Sequence, residues 1–173
     1  MWRSRLFYLI GCWILLLSAT QAVPFFIATS LEEAHAASGF LASIMVMSVI
    51  GGSLFLGFRS TPQIKVTRLT ILLPVVGGIA LAIVAGMPFF FIFPDQGLVP
   101  AFFEGMSLIT TTGSSAYEGA HETIVSIAFW RVQASWIGGF LAICMTLSIL
   151  TAINSGGVQL HRSPLPYGDS ETE

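Results

Sequence analysis

The pattern of apolar and polar positions divides the chain into four long apolar runs, with a shorter mixed stretch before the last. The long runs cover residues 6–28, 39–58, 69–93 and 123–150. Each reaches the roughly 20 residues that a helix needs to cross a bilayer. The stretch from residue 100 to residue 119 is too short in its apolar part and too polar to cross the bilayer. The pattern therefore predicts an all-α integral membrane protein with four transmembrane helices and a re-entrant segment between helices three and four.

The amino-acid composition excludes a water-soluble globule. Hydrophobic residues make up 54% of the 173-residue chain and charged residues only 9%, which leaves too little polar surface to cover a globule. The first run has an alternative interpretation as a cleaved secretory signal, because MWRSR is basic and SATQA ends in small residues. Against this, the apolar run continues through VPFFIAT, beyond the length that a signal core needs.

The distribution of charge predicts how the chain crosses the membrane. Apart from Arg131, the basic residues lie before the first run, between the second and third, and after the fourth: Arg3, Arg5, Arg59, Lys65, Arg68 and Arg162. Because short basic loops stay on the cytoplasmic side, both termini are predicted to be cytoplasmic. The outer connections carry Glu32, Glu33, Asp95, Glu104, Glu118 and Glu122. These acids would attract cations, although solvated loops that follow the same rule also explain them.

The stretch PAFFEGMSLITTTGSSAYEG, residues 100–119, combines a short amphipathic segment with a cluster of hydroxyl residues. Pro100 suits a helix N-terminus, and AFFEGMSLI predicts a short helix whose partly negative C-terminal end favours a cation. Gly113 is free to adopt a positive φ, and the carbonyls and hydroxyls of TTTGSS could replace the hydration shell of an ion. The alternative is a Ser/Thr-rich outer loop that only caps a helix.

The order of AFFEGMSLITTTGSS, FWRVQASWIGGF and INSGGVQLHRSPLPYGDSE resembles the first pore repeat of the Trk/Ktr/HKT superfamily of potassium transporters. The resemblance covers nearly the whole chain, and the first two runs resemble the helix pair that precedes this repeat. It implies a pore helix followed by a filter strand, K⁺ as the transported ion, and no covalent cofactor. The implied K⁺ filter comprises Thr110, Thr111, Thr112, Gly113 and Ser114, with Thr110 at the end of the pore helix.

The sequence contains TTTG only once, whereas four repeats surround one ion path in the family that it resembles. The implied organisation is an N-terminal helix pair (1–62), a helix, pore-loop and helix repeat (63–154), and a cytoplasmic tail or linker (155–173). Three arrangements would complete the pore. In order of preference, the chain is the front portion of a longer transporter, a short subunit that assembles with separate chains, or one member of a homotetramer.

The resemblance also implies partners and a location. The remaining pore repeats would come from the same or separate chains. The complete transporter would form a homodimer, contact a cytosolic nucleotide-binding regulatory subunit, and bind no nucleic acid. The implied location is the bacterial cytoplasmic (inner) membrane, with the chain embedded in the lipid bilayer.

Two charged residues are expected to lie close to the membrane core, where unpaired charges are costly. Glu104 is on the predicted pore helix and Arg131 is at the start of the fourth run. A salt bridge between them would support the filter. In the alternative, Arg131 extends to the outer interface beside Trp130 and Trp136.

Small residues on the third and fourth runs predict close helix contacts. Gly78, Ala82 and Gly86 recur at every fourth position of the third run, which lets helix backbones approach each other. Gly138 and Gly139 on the fourth run could serve either packing or a hinge. The sequence leaves these two uses open.

Other functional classes have weaker support. An accessory membrane subunit that lines no pore is one alternative, although it leaves TTTGSS without a chemical role. An intramembrane serine hydrolase would need Ser114 or Ser115 beside His121 as a base, and no recognisable spacing supports it. The two cysteines, Cys12 and Cys144, lie in apolar runs and suggest neither a disulfide nor a metal site. The sequence therefore predicts a protein that is not an enzyme.

Overall fold

The computed structural model describes residues 2–59, 67–117, 119 and 123–155, and no strand occurs among them. The helices within these ranges are α1 (Trp2–Thr20), α2 (Ala22–Ser30), α3 (Ala34–Gly57), α4 (Thr67–Ile92), α5 (Leu98–Ile109) and α6 (Val125–Ser155). A 3₁₀ turn at Pro94–Gln96 connects α4 to α5.

Four segments of the described chain are long and apolar enough to cross a membrane, which confirms the four predicted spans. They are Ser4–Ser30, Ala34–Gly57, Leu72–Ile92 and Val125–Thr151. The first span joins α1 and α2 across Gln21. The shorter helix α5 lies between the third and fourth spans, where the hydropathy pattern predicts a segment that does not cross.

α1 and α3 pack closely through two glycines. A Cβ atom at Gly11 would lie 2.9 Å from the Gly51 carbonyl oxygen and 2.7 Å from the Phe55 backbone nitrogen. Small residues at these positions let the two helix backbones approach, which increases van der Waals contact where lipid supplies no hydrophobic driving force.

α4 forms the centre of the structure and contacts α1, α3, α5 and α6. Half of its span is buried within the chain, compared with 11% of the α6 span. Its buried side chains include Leu81, Val84, Phe89 and Ile92. α4 is therefore the scaffold on which α5 is positioned, whereas α6 leaves most of its surface uncovered by this chain.

The predicted division into an N-terminal pair, a repeat and a tail stays a prediction. The boundary at residues 62 and 63, and the tail from residue 156 onwards, lie outside the described residues. Within the described part, α1 contacts α4 and α2 contacts α6. The N-terminal helices are thus packed against the helices of the predicted repeat.

Candidate functional site

α5 lies against α4 at a separation that only small residues permit. A Cβ atom at Gly105 would overlap the Ala82 carbonyl oxygen, and one at Gly86 would overlap the Ala101 carbonyl oxygen. The predicted close contact is thus found at Ala82 and Gly86. It does not hold at Gly78, where a Cβ would meet nothing within 4 Å, because α5 packs against the later turns of α4.

The limits of α5 follow from local backbone chemistry. The helix begins at Leu98, after Gly97 with its left-handed φ of 80°, and ends at Ile109. Pro100 lies in the first turn, where its missing N–H removes no intrahelical hydrogen bond. The start is three residues earlier than the predicted AFFEGMSLI helix, and the end coincides with it.

The C-terminus of α5 is a Schellman motif with an unusual residue at its turning point. The Thr112 N–H donates to the Ser107 carbonyl at 2.9 Å, and the Thr111 N–H donates to the Leu108 carbonyl at 3.2 Å. This pattern places Thr111 in the left-handed region, with φ of 57°. Glycine usually occupies this position, and a residue with a Cβ costs about 1–2 kcal/mol there. The chain therefore leaves α5 through a strained turn.

Residues 110–114, which we call the exposed segment, follow this turn and are all solvent-accessible within the chain. Gly113 has φ of 79°, the left-handed geometry that its lack of a side chain allows. The hydroxyls of Thr110 and Thr112 lie 2.8 Å apart, and the Ser107 hydroxyl donates to the Ser114 carbonyl at 2.6 Å. The five predicted filter residues thus form one continuous exposed stretch that is fastened to α5 at its far end.

The chain then enters a polar group that consists of the buried Glu104 and Tyr117 and the partly buried Ser115 and Arg131. We call this group the anchor cluster. Arg131 Nη1 forms an ion pair with Glu104 Oε1. Glu104 Oε2 accepts hydrogen bonds from the Ala116 N–H at 2.9 Å and from the Ser115 hydroxyl at 3.2 Å. Ser115 Oγ also accepts from Arg131 Nη1 at 2.8 Å and from the Tyr117 N–H at 3.1 Å. The cluster fixes the backbone directly after the exposed segment.

The structure brings together the two charges that the sequence singles out. Glu104 is fully buried and the Arg131 side chain is 15% exposed, so each compensates the other where solvent is scarce. Arg131 points to Glu104 rather than to an outer interface. Trp130 is fully buried, contrary to its alternative role beside Arg131 at that interface, while Trp136 is exposed.

Tyr117 closes the loop with an aromatic contact. Its ring lies 5.2 Å from the ring of Phe89 on α4 and 5.1 Å from that of Phe93, measured between centroids. Burial, and secondarily the nearby charge of Glu104, raises the pKa of the Tyr117 phenol to about 12. Tyr117 is therefore neutral at physiological pH and attaches the end of the loop to the C-terminal end of α4.

α6 packs against the end of α5 at one of the two predicted glycines. A Cβ atom at Gly138 would overlap the Ile109 carbonyl oxygen, whereas one at Gly139 would make an ordinary contact of 3.6 Å with Thr111 Cγ2. α6 continues through both positions as one helix. The close approach at Gly138 places α6 directly beside the turn that starts the exposed segment.

The start of α6 is capped by a residue that sequence reasoning assigned only to an acidic loop. The Glu33 carboxylate accepts hydrogen bonds from the Val125 N–H at 2.7 Å and from the Ser126 N–H at 3.2 Å. An anionic acceptor at a helix N-terminus satisfies unpaired N–H donors, and its negative charge interacts favourably with the positive end of the helix dipole. The 92-residue separation from Val125 gave no local signal for this contact.

The structure gives little support to a metal site or a serine hydrolase. Within the described part of the chain, no group of three or more His, Cys, Asp or Glu side chains could hold a metal ion. His121, the suggested hydrolase base, lies outside the described residues. The Ser115 hydroxyl is a member of the anchor cluster, and Ser114 belongs to the exposed segment.

These features describe a polytopic helical membrane protein in which a short helix and an exposed polar segment stand between two spans. No family model matches the chain. Its curated homologues are Trk potassium uptake proteins. The TrkH protein of Escherichia coli strain K12 is 30% identical over 91% of this chain. TrkH of Vibrio parahaemolyticus is 28% identical over 95%, and TrkG of E. coli K12 is 25% identical over 92%. The resemblance found in the sequence is confirmed.

The shared region is only part of each relative. The chain spans about a third of the length of the curated relatives that it matches: 33% of both E. coli proteins and 34% of the Vibrio protein.

Proposed function

We propose that this chain contributes one part of a four-repeat cation pore for potassium uptake, with the exposed segment as its filter strand. The observation that carries the proposal is the pairing of an exposed stretch of carbonyls and hydroxyls with the anchor cluster beside it. A filter needs oxygen atoms that are free to bind an ion and a backbone that holds them in place. The names of the curated relatives, all potassium uptake proteins, support K⁺ as the ion.

The orientation of α5 supports a cation at this position. The helix ends at Ile109, directly before the exposed segment, so the negative end of its dipole adjoins the proposed filter. A monovalent cation loses its hydration shell favourably only where several oxygens converge on it. One exposed strand offers oxygens from one side, and we therefore propose that other repeats, in the same or separate chains, complete the ring.

The wider assembly is also part of the proposal. α5 would be a re-entrant pore helix, and residues 63–154 would form the repeat that it belongs to. Both termini would be cytoplasmic in a bacterial inner membrane, as the basic loops favour. The complete transporter would form a homodimer and bind a cytosolic nucleotide-binding regulatory subunit.

A pair of matched glycine variants tests the filter. Gly113 and Gly119 both have φ of 79°, and a Cβ at either would meet nothing within 4 Å. Alanine at each position therefore brings a similar backbone strain, about 1–2 kcal/mol. Only Gly113 lies in the exposed segment. Gly113→Ala should reduce K⁺ uptake or let Na⁺ compete, whereas Gly119→Ala should leave ion discrimination unchanged.

The assay is growth and ion uptake in a bacterium that lacks potassium uptake, at low K⁺. The chain expressed alone should fail to rescue growth, and the chain assembled with the remaining repeats should rescue it. Selective K⁺ flux through a purified chain shown to be monomeric would refute the shared pore. Unchanged selectivity in both glycine variants would favour the accessory subunit that lines no pore.

A further inference from the structure

Three prolines lie in the described membrane spans: Pro24 in α2, and Pro74 and Pro88 in α4. A proline has no N–H, so along a continuous helical path the carbonyl four residues earlier has no backbone donor. For Pro88 this is the Val84 carbonyl, within α4. For Pro24, in the first turn of α2, it is the Thr20 carbonyl at the end of α1. In a bilayer, where no water replaces the donor, each released carbonyl needs a partner from elsewhere in the protein.

Two glutamine side chains supply these partners. Gln21 Nε2 donates to the Val84 carbonyl at 3.0 Å, and Gln133 Nε2 donates to the Thr20 carbonyl at 2.9 Å. The atom facing each carbonyl must be the amide nitrogen, because two acceptor oxygens would repel each other. Within the described residues, the Oε1 atom of each glutamine has no hydrogen-bond partner. Donation to the released carbonyl is therefore the hydrogen bond that each side chain makes.

The two contacts connect three helices in series. Gln133 on α6 binds Thr20 at the end of α1, and the next residue, Gln21, binds Val84 on α4. A further donor comes from α6, where Trp130 Nε1 binds the Ala85 carbonyl at 3.0 Å. Two successive carbonyls before Pro88 are thus bound by side chains from the α1–α2 junction and from α6.

The two carbonyls on α4 that accept these hydrogen bonds, Val84 and Ala85, are next to the surface against which α5 packs. Gly86 follows Ala85 directly, and its Cα is in contact range of the Ala101 backbone on α5 because no Cβ intervenes. Any change in the shape of α4 at residues 84–88 would therefore displace α5. The exposed segment starts at the end of that helix and would move with it.

We propose that Gln21 and Gln133 are positioning residues that replace the backbone donors missing at Pro88 and Pro24 and so hold α4 in the shape that seats α5. We call the two contacts the glutamine clamp. The structural part of this inference depends only on the hydrogen bonds. Its consequence for ion uptake rests on the proposed function.

Restoring the missing N–H groups provides the test. In Pro88→Ala the new backbone N–H can reach the Val84 carbonyl, so the amide of Gln21 is no longer needed. Methionine matches glutamine in length and flexibility and lacks the donor. Gln21→Met should lower the melting temperature of the detergent-purified full chain by about 5 °C. In the Pro88→Ala background the same change should lower it by less than half as much.

The second contact provides an independent cycle and matched controls. Gln133→Met should lose most of its effect in the Pro24→Ala background. The crossed pairs, Gln21→Met with Pro24→Ala and Gln133→Met with Pro88→Ala, should be nearly additive. Because each comparison is made within one proline background, the effect of the proline change itself cancels. Additive matched pairs, or crossed pairs that couple as strongly as the matched ones, would overturn the clamp.

Uptake by the chain assembled with the remaining repeats separates positioning from simple stabilisation. At equal amounts of protein in the membrane, Gln21→Met should raise the KM for K⁺ several-fold or weaken discrimination against Na⁺, and the change should be smaller in the Pro88→Ala background. Coupling in melting temperature without any change in KM or selectivity would overturn the positioning role. If the unaltered assembly transports no K⁺ while the matched pairs still couple, the proposed function fails and the clamp is supported.

Discussion

The exposed segment adjoins the anchor cluster at Ser115, yet the two regions use similar polar groups in opposite ways. Residues 110–114 present hydroxyls and backbone to the surface of the chain. One residue later, the Ser115 hydroxyl contacts Glu104, Arg131 and the Tyr117 backbone. The first stretch is exposed, although its Thr110 and Thr112 hydroxyls bond to each other and its Ser114 carbonyl accepts from Ser107. The second is enclosed, and its polar groups are bound to one another.

The difference shows how a polar loop can be exposed while its backbone is held in one position. A buried charge is tolerated only where partners compensate it, and this requirement defines the geometry of the anchor cluster narrowly. Because Ser114 is covalently bonded to Ser115, the anchor cluster also restrains the position of this end of the exposed segment. At its other end it is held by the Schellman turn at Thr111. The accessible oxygens thus stand on a backbone that is restrained at both ends.

The largest effect should follow from breaking the anchor cluster. Arg131→Met leaves the buried Glu104 carboxylate without its cation, and loss of one partner of a buried ion pair costs about 3–5 kcal/mol. We expect little folded chain in membranes and a strongly lowered melting temperature in detergent. Asp95→Asn, at an exposed acid, is the matched control and should change neither quantity.

A double variant distinguishes loss of the ion pair from general damage. With Glu104→Gln added to Arg131→Met, the buried charge is removed, while the amide oxygen can still accept from the Ala116 N–H and the Ser115 hydroxyl. The double variant should therefore be more stable than Arg131→Met alone. A charge exchange would be a poor test, because arginine at position 104 would face the Ala116 N–H donor. If the two neutralisations simply added, Glu104 and Arg131 would be energetically independent.

Features that depend on local pattern could be predicted from the sequence. The four spans follow from runs of apolar residues, and α5 follows from its amphipathic pattern and a nearby proline. The pairing of Glu104 with Arg131 could be predicted because unpaired charges are rare in and beside membrane-spanning segments. The spacing of Ala82 and Gly86 predicted a close helix contact, although it did not identify α5 as the partner. Gly78 has the same spacing, and a Cβ there would meet nothing within 4 Å.

Features that depend on the path of the loop could not be predicted. Ser115 joins the anchor cluster only because the chain turns back after α5, and that turn uses a left-handed threonine that residue preferences disfavour. Glu33 caps α6 from a distant part of the chain, so neither partner carries a local sign of the contact. The sequence also does not indicate which side chains reach the carbonyls released by Pro24 and Pro88, because Gln21 and Gln133 are distant from them in the chain or on another helix.

A smaller effect should come from releasing the far end of the exposed segment. Ser107→Ala removes the hydroxyl that donates to the Ser114 carbonyl at 2.6 Å. Loss of one such hydrogen bond costs about 0.5–1.5 kcal/mol, here towards the lower end because the exposed carbonyl can bind water instead. The melting temperature should fall slightly while Na⁺ competes more effectively in the assembled transporter.

The control for Ser107→Ala is Ser53→Ala, which removes a hydroxyl that donates to the Val49 carbonyl on the exposed face of α3. This change should leave both ion discrimination and melting temperature almost unaltered. Equal selectivity in the two serine variants would contradict the idea that the Ser107 tether shapes the exposed segment.

A change in stability of similar size and opposite sign is expected at Thr111. Thr111→Gly relieves the left-handed strain, but glycine also gains conformational entropy in the unfolded chain, so the net stabilisation should be only about 0.5–1 kcal/mol. The same freedom should loosen the exposed segment and weaken discrimination between K⁺ and Na⁺. Thr112→Gly is the control, because Thr112 is not among the described residues with positive φ and glycine there relieves no such strain. A Thr111→Gly protein that is less stable than the parent would show that the threonine side chain contributes more than its backbone strain costs. A more stable protein with unaltered selectivity would show that this turn does not control the proposed filter.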